Sequence, residues 1–268
     1  MMRLCRFVLA SAAWCFLSAA PAQAAACELT ISAAASLTAA FKQITTHFER
    51  SQACKVTLNF AASGVLVQQM RHGAPVDVLA TADQQSMDLA AQFGLIKPQS
   101  RQDFIANTLV LIAPERSTLR SATGLSGAPE KAGSEAALLQ QLTGPQIKHI
   151  AIGNPASVPA GRYAKEALRH AGLAKSLDTR LVFATHVRQV LDYVVRAEVE
   201  AGFVYASDAK GQQVRQLGVV TTDTTIRYPL AISAKPANPV AAQAFHRFIR
   251  SEVAQQILLQ HGFSSGGI

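Results

Sequence analysis

Apolar and polar positions along the chain repeat one unit, a short apolar strand followed by small residues and then an amphipathic helix. The first unit begins with the strand LTIS, passes through the Ala and Ser residues 32–36 and continues as the helix LTAAFKQITTHF. Apolar residues in that helix recur every three or four positions, at Leu37, Phe41, Ile44 and Phe48. The second unit pairs the strand VTLNF with the helix VLVQQMRHG, in which Gly73 fits the position after a helix end. This alternation predicts an α/β fold with mainly parallel sheets.

The same alternation continues through the rest of the chain. DVLATA precedes the helix MDLAAQFG, and a new strand, TLVLIAP, begins at Thr108. Between residues 117 and 144 the composition shifts to Ser, Gly, Ala and Lys, which predicts an elaborated connection with one helix, SEAALLQQL. In VPAGRYAKEALRHAG, Pro159 suits the first turn of a helix and Gly172 its end. The last apolar period, VAAQAFHRFIRSEVAQQILLQHG, predicts one closing helix.

Residues 1–26 have the pattern of a cleavable secretory signal. Arg3 and Arg6 precede an apolar run that ends in Pro21 and an Ala-x-Ala pattern, which predicts export from the cytoplasm to the periplasm. This run is too short to span a bilayer comfortably, and the mature chain contains no stretch of about 20 apolar residues. Cleavage removes two basic and no acidic residues, so the formal charge falls from +8 to +6. A basic exported protein can attract anions, whereas its compartment and scattered charges argue against a nucleic-acid partner.

Two of the four cysteines, Cys27 and Cys54, remain after cleavage. Each begins an apolar strand and lies nine residues before a serine at the strand end, Ser36 or Ser63. If the two strands are parallel neighbours in register, their first residues lie about 5 Å apart, within reach of a disulfide. An oxidising compartment favours that bridge. The alternatives are two free thiols, or a lipidated Cys27, against which the small residues that precede it argue.

Small residues at the junction between a strand and a helix suggest how this chain could bind an anion. The first N–H groups of a helix have no intrahelical acceptor, and the helix dipole is positive there. Such junctions occur at Ser36, Ser63, Ala160 and Val187. A structural alternative is that each serine only caps its helix, or that small residues only permit close packing.

The order of several motifs resembles the periplasmic molybdate-binding proteins of ABC importers. These motifs are AAASLTAAF, FAASGVLVQQMRHGAPVDVLATAD, GNPASVPAGRYAKEAL, THVRQVL and GFVYASDA, and the resemblance covers nearly the whole mature chain. It implies a type II periplasmic binding protein fold, with two lobes joined by two hinge crossings. The implied lobe 1 comprises residues 27–106 and 228–268, and the implied lobe 2 comprises residues 107–227.

The resemblance also implies an oxyanion site between the lobes. Its hydroxyl and backbone donors would be Ser36 and Ser63, its backbone donors Ala160 and Val187, and its phenolic donor Tyr205. Gly64 stands where that family commonly has another serine. The implied ligand is molybdate or tungstate, held through its oxygens without a resident cofactor. The implied partners of this monomer are an ABC permease and its ATPase subunit.

Two other functions remain open from the residues alone. The site could serve another tetrahedral oxyanion, such as sulfate or thiosulfate. An exported serine hydrolase could use Ser36 or Ser63 with a histidine, but neither serine lies in a G-x-S-x-G motif and no triad is identifiable. We therefore expect a binding protein and not an enzyme.

Charged residues near these motifs receive structural interpretations. Positions inside helices predict a solvated face for three basic residues: Arg71, Arg162 and Lys165. His186 is expected at the rim of the site beside Val187, with a pH-sensitive contribution to anion attraction as the alternative. Asp77 and Asp83 flank a strand, where a turn or cap role is favoured over metal binding.

Overall fold

The chain contains two five-stranded sheets, each of which is covered by helices. The structure is a computed structural model, and it describes residues 27–121 and 132–265. The predicted signal, residues 1–26, lies outside the described residues. The strands are β1 Cys27–Ala34, β2 Cys54–Ala61, β3 Val78–Ala80, β4 Gln102–Asn107, β5 Leu109–Pro114, β6 Ile150–Gly153, β7 Leu181–Ala184, β8 Ala201–Tyr205, β9 Val214–Val220 and β10 Ile226–Ile232.

Most of the helices follow a strand, as the alternating pattern predicts. The helices are α1 Thr38–Gln52, α2 Ser63–Arg71, α3 Gln84–Gln92, α4 Ala132–Gln140, α5 Pro159–His170, α6 Ala174–Leu177, α7 Val187–Val195, α8 Ala206–Ala209, α9 Pro239–Phe248 and α10 Glu252–Gln260. Short 3₁₀ turns occur at Ala35–Leu37, Pro98–Ser100, Gln141–Thr143 and Asp178–Arg180. No helix in the described part of the chain is both long enough and apolar enough to cross a membrane.

The order of strands in the two sheets confirms the two-lobe α/β fold. The first sheet has the order β2-β1-β3-β10-β4, and the second has the order β7-β6-β8-β5-β9. Strand β1 pairs in parallel with β2 and β3, and β6 pairs in parallel with β7 and β8. In each sheet the strand that follows a crossing, β10 or β5, pairs antiparallel with both neighbours. The chain passes from the first sheet to the second at Thr108 and returns through residues 221–225. We call the described parts of 27–107 and 226–265 lobe 1 and those of 108–225 lobe 2.

Helix α1 shows how the apolar period forms the core of lobe 1. Phe41, Ile44 and Phe48 are fully buried, as their spacing predicts. The Phe41 ring centroid lies 6.0 Å from that of Phe104 on β4 and 6.0 Å from that of Phe245 on α9. Helix α1 therefore packs the β1 segment against the C-terminal part of the chain, and it fixes the preceding turn at Ala35–Leu37.

The predicted disulfide is confirmed. Strands β1 and β2 are parallel neighbours in register, and Cys27 lies opposite Cys54 with a Cα–Cα distance of 4.5 Å. Because the sulfur of Cys27 is used in the bridge, it cannot also carry a lipid thioether. The disulfide ties together the two strands whose carboxyl ends lead to Ser36 and Ser63.

The prediction of one closing helix is wrong. The chain forms α9 and α10, which are separated at Ser251. Ser251 has an extended backbone, and its side-chain oxygen accepts a hydrogen bond from the Ala254 N–H at 3.3 Å, so it caps a new helix. Strands β4, β7 and β9 were not predicted from the sequence, and each is only four to seven residues long.

Candidate ligand-binding site

The five residues expected to bind an oxyanion line one small cavity between the lobes. Lobe 1 contributes Ser36 and Ser63, and lobe 2 contributes the other three: Ala160, Val187 and Tyr205. All five are buried. The remaining lining residues are Ala34, Ala35, Ala62, Ala82, Val158 and Pro159, so no charged side chain of the described residues lines the cavity.

Helices α2, α5 and α7 begin at this cavity, and the first two begin without a side-chain cap. Helix α2 starts at Ser63 after Ala62, and helix α5 starts at Pro159 after Val158; neither preceding residue makes a side-chain cap bond. Ser63 is the first residue of α2, and Ser36 lies within the 3₁₀ turn before α1, whose N-cap is Leu37. Neither serine is therefore a helix cap, which was one of the structural alternatives. Because the first N–H groups of a helix lack intrahelical acceptors, these starts leave backbone donors for an anion.

The two serine hydroxyls have different partners in lobe 1. The Ser63 hydroxyl oxygen accepts a hydrogen bond from the backbone N–H of Ala82 at 3.0 Å. The Ser36 oxygen lies 3.0 Å from the phenolic oxygen of Tyr228. Neither partner is a histidine, so these contacts give the hydrolase alternative no support.

Tyr205 presents a buried hydroxyl without a partner. The side chain is 1% exposed, and its phenolic oxygen has no hydrogen-bond partner among the described residues. Burial raises the pKa of this phenol well above its ordinary value, so it keeps its proton and acts as a donor. A buried donor without an acceptor is costly, and a ligand oxygen in the cavity would remove that cost.

Direct contacts hold the lobes together beside the cavity. The Gly64 N–H at the start of α2 donates to the Ser157 carbonyl of lobe 2 at 3.0 Å. The Arg162 guanidinium on α5 forms an ion pair with Asp83 of lobe 1, and it donates to the Ser86 hydroxyl at 3.1 Å. The expectation of a solvated face for Arg162 is therefore wrong, because its partner lies in the other lobe, 79 residues away in sequence.

His186 is also placed differently from the expectation. It is half-buried and caps α7, where its Nδ1 atom accepts a hydrogen bond from the Gln189 N–H at 3.1 Å. Burial lowers the pKa of its imidazole, which favours the neutral form that can accept this bond. His186 therefore fixes the helix start that presents Val187 to the cavity, and it is not a solvated rim residue.

Asp208, next to the site on α8, was not identified from the sequence. Its carboxylate is fully buried and has no hydrogen-bond partner among the described residues, and the Arg188 guanidinium lies 3.7 Å away. Burial raises the pKa of Asp208 to about 7, against the opposing effect of Arg188. A lone Asp three residues after Tyr205, between Ser207 and Ala209, gives no local signal of this burial.

The other charged residues agree with the sequence interpretation. Arg71 is exposed and stacks over the Phe93 ring at 4.4 Å, and Lys165 is exposed. Asp83 caps α3 by accepting from the Ser86 N–H, and Asp77 accepts from the backbone N–H groups of Thr30 and Asn238. The described residues contain no cluster of His, Cys, Asp and Glu that could hold a metal ion.

Two α/β lobes that enclose a small cavity lined by donors define a two-lobe binding protein, and comparison with known proteins agrees. The family model for bacterial extracellular solute-binding proteins matches residues 29–264, so the chain belongs to that family. The molybdate-binding protein ModA of Escherichia coli (strain K12) is 34% identical over 260 residues, 96% of each chain. ModA of Haemophilus influenzae is 31% identical over 246 residues, which are 90% of this chain and 92% of that protein. The structure of the periplasmic molybdate-binding protein of Azotobacter vinelandii shares the fold, with a TM-score of 0.73, 23% identity and coverage of 88% and 98%.

Proposed function

We propose that this chain captures molybdate between its lobes, with tungstate as a competing ligand, and delivers it to an ABC permease driven by an ATPase subunit. The observation that carries the proposal is the buried hydroxyl of Tyr205, which has no hydrogen-bond partner in the described part of the chain and lies in a cavity where helix starts from both lobes meet. The named function of the E. coli and H. influenzae relatives supports molybdate as the ligand.

Each lobe contributes a different set of donors. Ser36 and Ser63 would bind through hydroxyl and backbone N–H groups from lobe 1. Ala160 and Val187 would bind through backbone N–H groups from lobe 2, because neither side chain can form a hydrogen bond. Tyr205 would add its phenolic hydroxyl. An anion that contacts both sets stabilises the closed arrangement relative to the open one, and the difference in contacts drives hinge closure.

Neutral donors suit a fully deprotonated dianion. Hydrogen bonds to a charged acceptor are about twice as strong as neutral ones, and helix starts add a favourable dipole. A site of donors alone disfavours an oxyanion that keeps a proton, such as hydrogen phosphate, because that proton finds no acceptor. Sulfate carries no such proton, so the cavity must distinguish it from molybdate by the longer metal–oxygen bonds of molybdate.

Delivery of the oxyanion to the permease depends on the closed form of the receptor. The closed receptor presents both lobes together, and we propose that the permease recognises this arrangement in the periplasm, after a signal at residues 1–26 has been cleaved. The receptor acts as a monomer and performs no chemistry on its ligand. ATP hydrolysis belongs to the partner subunit, since this sequence contains no G-x-x-x-x-G-K-[ST] motif.

The test is isothermal titration calorimetry of mature, ligand-stripped protein with molybdate, alone and in excess sulfate or phosphate. We expect one-to-one binding that survives both competitors. Tyr205→Phe should weaken that binding by about 1 kcal/mol or somewhat more, whereas the matched control Tyr193→Phe, on α7 outside the cavity lining, should not. Displacement by sulfate, or no heat with molybdate, would overturn the proposed ligand.

A further inference from the structure

A chain of three side chains connects the first hinge crossing to the cavity. Asn107 lies at the end of β4, and its Nδ2 atom is 3.2 Å from the phenolic oxygen of Tyr228. That phenolic oxygen is 3.0 Å from the Ser36 hydroxyl, which lines the cavity. Asn107 and Tyr228 are 6% and 0% exposed, so bulk water does not compete for these bonds.

The direction of each hydrogen bond in this chain is determined. The Asn107 side-chain oxygen accepts from the Thr108 backbone N–H at 2.9 Å, so its NH₂ group is the end that faces Tyr228. An NH₂ group only donates, so the Tyr228 oxygen must accept. Among the described residues, the Ser36 oxygen is the one recorded partner that can accept the single hydrogen of Tyr228, so the arrangement that satisfies both hydroxyls has Tyr228 donating to Ser36. Ser36 accepts that hydrogen and has its own hydrogen left for the cavity.

The Ser63 hydroxyl is also left with its hydrogen free for the cavity, in this case because of a single backbone hydrogen bond. Its oxygen accepts from the backbone N–H of Ala82, which can only donate. Both serines of lobe 1 therefore have an acceptor position filled by a fixed donor, one from the backbone and one from side chains.

We propose that Tyr228 and Asn107 are positioning residues that fix the Ser36 hydroxyl as a donor and thereby select ligands without a proton. The inference rests on the proposed function, because it assigns a role to residues behind the same site. Asn107 also donates to the Ser207 hydroxyl of lobe 2 at 2.8 Å. The residue that orients the Tyr228 hydroxyl therefore also connects the two lobes. The ligand class is a tetrahedral dianion that carries four bare oxygens.

The test is a double-mutant cycle of Tyr228→Phe and Ser36→Ala, measured as molybdate affinity by calorimetry. Phenylalanine keeps the ring contacts with Tyr205 at 5.8 Å and with Phe263 at 5.5 Å, so the substitution removes only the hydroxyl. We expect Tyr228→Phe alone to weaken binding about fivefold to tenfold. In the Ser36→Ala background it should change binding by less than about twofold, because its target is gone. Tyr193→Phe is the control.

Competition with hydrogen phosphate separates positioning from a packing role. Once released from Tyr228, Ser36 can accept a ligand proton, so the ratio of phosphate to molybdate affinity should rise in Tyr228→Phe. A packing defect would weaken both ligands equally and would give additive losses with Ser36→Ala; either result would overturn the inference. If Tyr228→Phe does not fold, Asn107→Ala takes its place in the same cycle.

The outcomes also separate this inference from the proposed function. If the wild-type protein prefers sulfate to molybdate, molybdate is refuted as the ligand. The positioning role then predicts the same coupling between Tyr228→Phe and Ser36→Ala when the cycle is measured with sulfate. Wild-type molybdate binding with an additive cycle refutes the positioning role alone. A wild-type protein that binds no tetrahedral oxyanion refutes both.

Discussion

The ion pair between Arg162 and Asp83 should control how readily the lobes close. Its side chains are 22% and 4% exposed, and it connects α5 of lobe 2 with the start of α3 in lobe 1. In Arg162→Ala, closure would bury the Asp83 carboxylate without its cationic partner. The Ser86 hydroxyl would also lose the hydrogen bond that Arg162 donates. In the proposed mechanism the ligand is bound by the closed arrangement, so the cost should appear as lost affinity.

The magnitude follows from the exposure of the pair. Truncation of one partner of a buried, hydrogen-bonded charge pair costs about 2–5 kcal/mol. Arg162 is partly solvated, and Asp83 keeps the hydrogen bond from the Ser86 N–H, which places the cost at the lower end. About 2 kcal/mol in the closing equilibrium corresponds to an affinity about 30-fold weaker.

Calorimetric titration with molybdate measures this loss, and Lys165→Ala is the matched control. Lys165 lies on the same helix, carries the same charge and is exposed, so its replacement reports only the long-range attraction of the anion. Removal of both partners, in Arg162→Ala with Asp83→Asn, should recover part of the affinity, because no carboxylate is then left unpaired. An Arg162→Ala affinity within twofold of the Lys165→Ala value would refute the reasoning.

Three further predictions concern closure, pH and the disulfide. A Cβ at Gly64 would lie 2.9 Å from the Ser157 carbonyl oxygen, so Gly64→Ala should weaken ligand binding without lowering the melting temperature of ligand-free protein; unchanged affinity would contradict this. With a folded-state pKa of about 7, Asp208 binds a proton that the unfolded chain has released above about pH 4, so its contribution to stability falls as pH rises from 4 to 7. Urea unfolding should therefore show that the unfolding free energy falls less between pH 5 and pH 8 in Asp208→Asn than in wild type. Equal falls in the two proteins would refute the raised pKa of Asp208. The bridge of Cys27 and Cys54 spans 27 residues, so replacement of both by Ala should cost about 3.5 kcal/mol of unfolding free energy. Thiol titration of the unfolded, unreduced wild type should detect no free thiol.

Local patterns were sufficient to predict the parts of the fold that depend on neighbours in sequence. The period of Phe41, Ile44 and Phe48 predicted α1 because one face of a helix repeats every three to four residues. Equal spacing from each cysteine to the serine after its strand predicted the disulfide, since parallel strands in register bring equivalent positions together. The motifs around Ser36 and Ser63 placed both residues at the end of a strand, where the cavity lies.

Contacts between distant segments could not be predicted in this way. Arg162 occupies an ordinary helical position, and its role depends on a carboxylate that the fold brings from the other lobe. Asn107 and Tyr228 lie 121 residues apart and meet only because β4 pairs with β10. Strand β4, with the sequence QDFIAN, is short and has polar residues at both ends, so its hydrophobic pattern was too weak to predict a strand.

The donors of the two lobes explain why closure should depend on the ligand. Tyr205 and the first turns of α2 and α5 line one cavity, whose described lining includes no charged side chain. Closure without an acceptor removes water from these groups, at about 1–3 kcal/mol for each buried donor left unpaired. The contacts of Gly64 and Arg162 between the lobes offset part of that cost. In the proposed function, a dianion with four bare oxygens would supply the missing acceptors, so closure would be favourable only with the correct ligand bound.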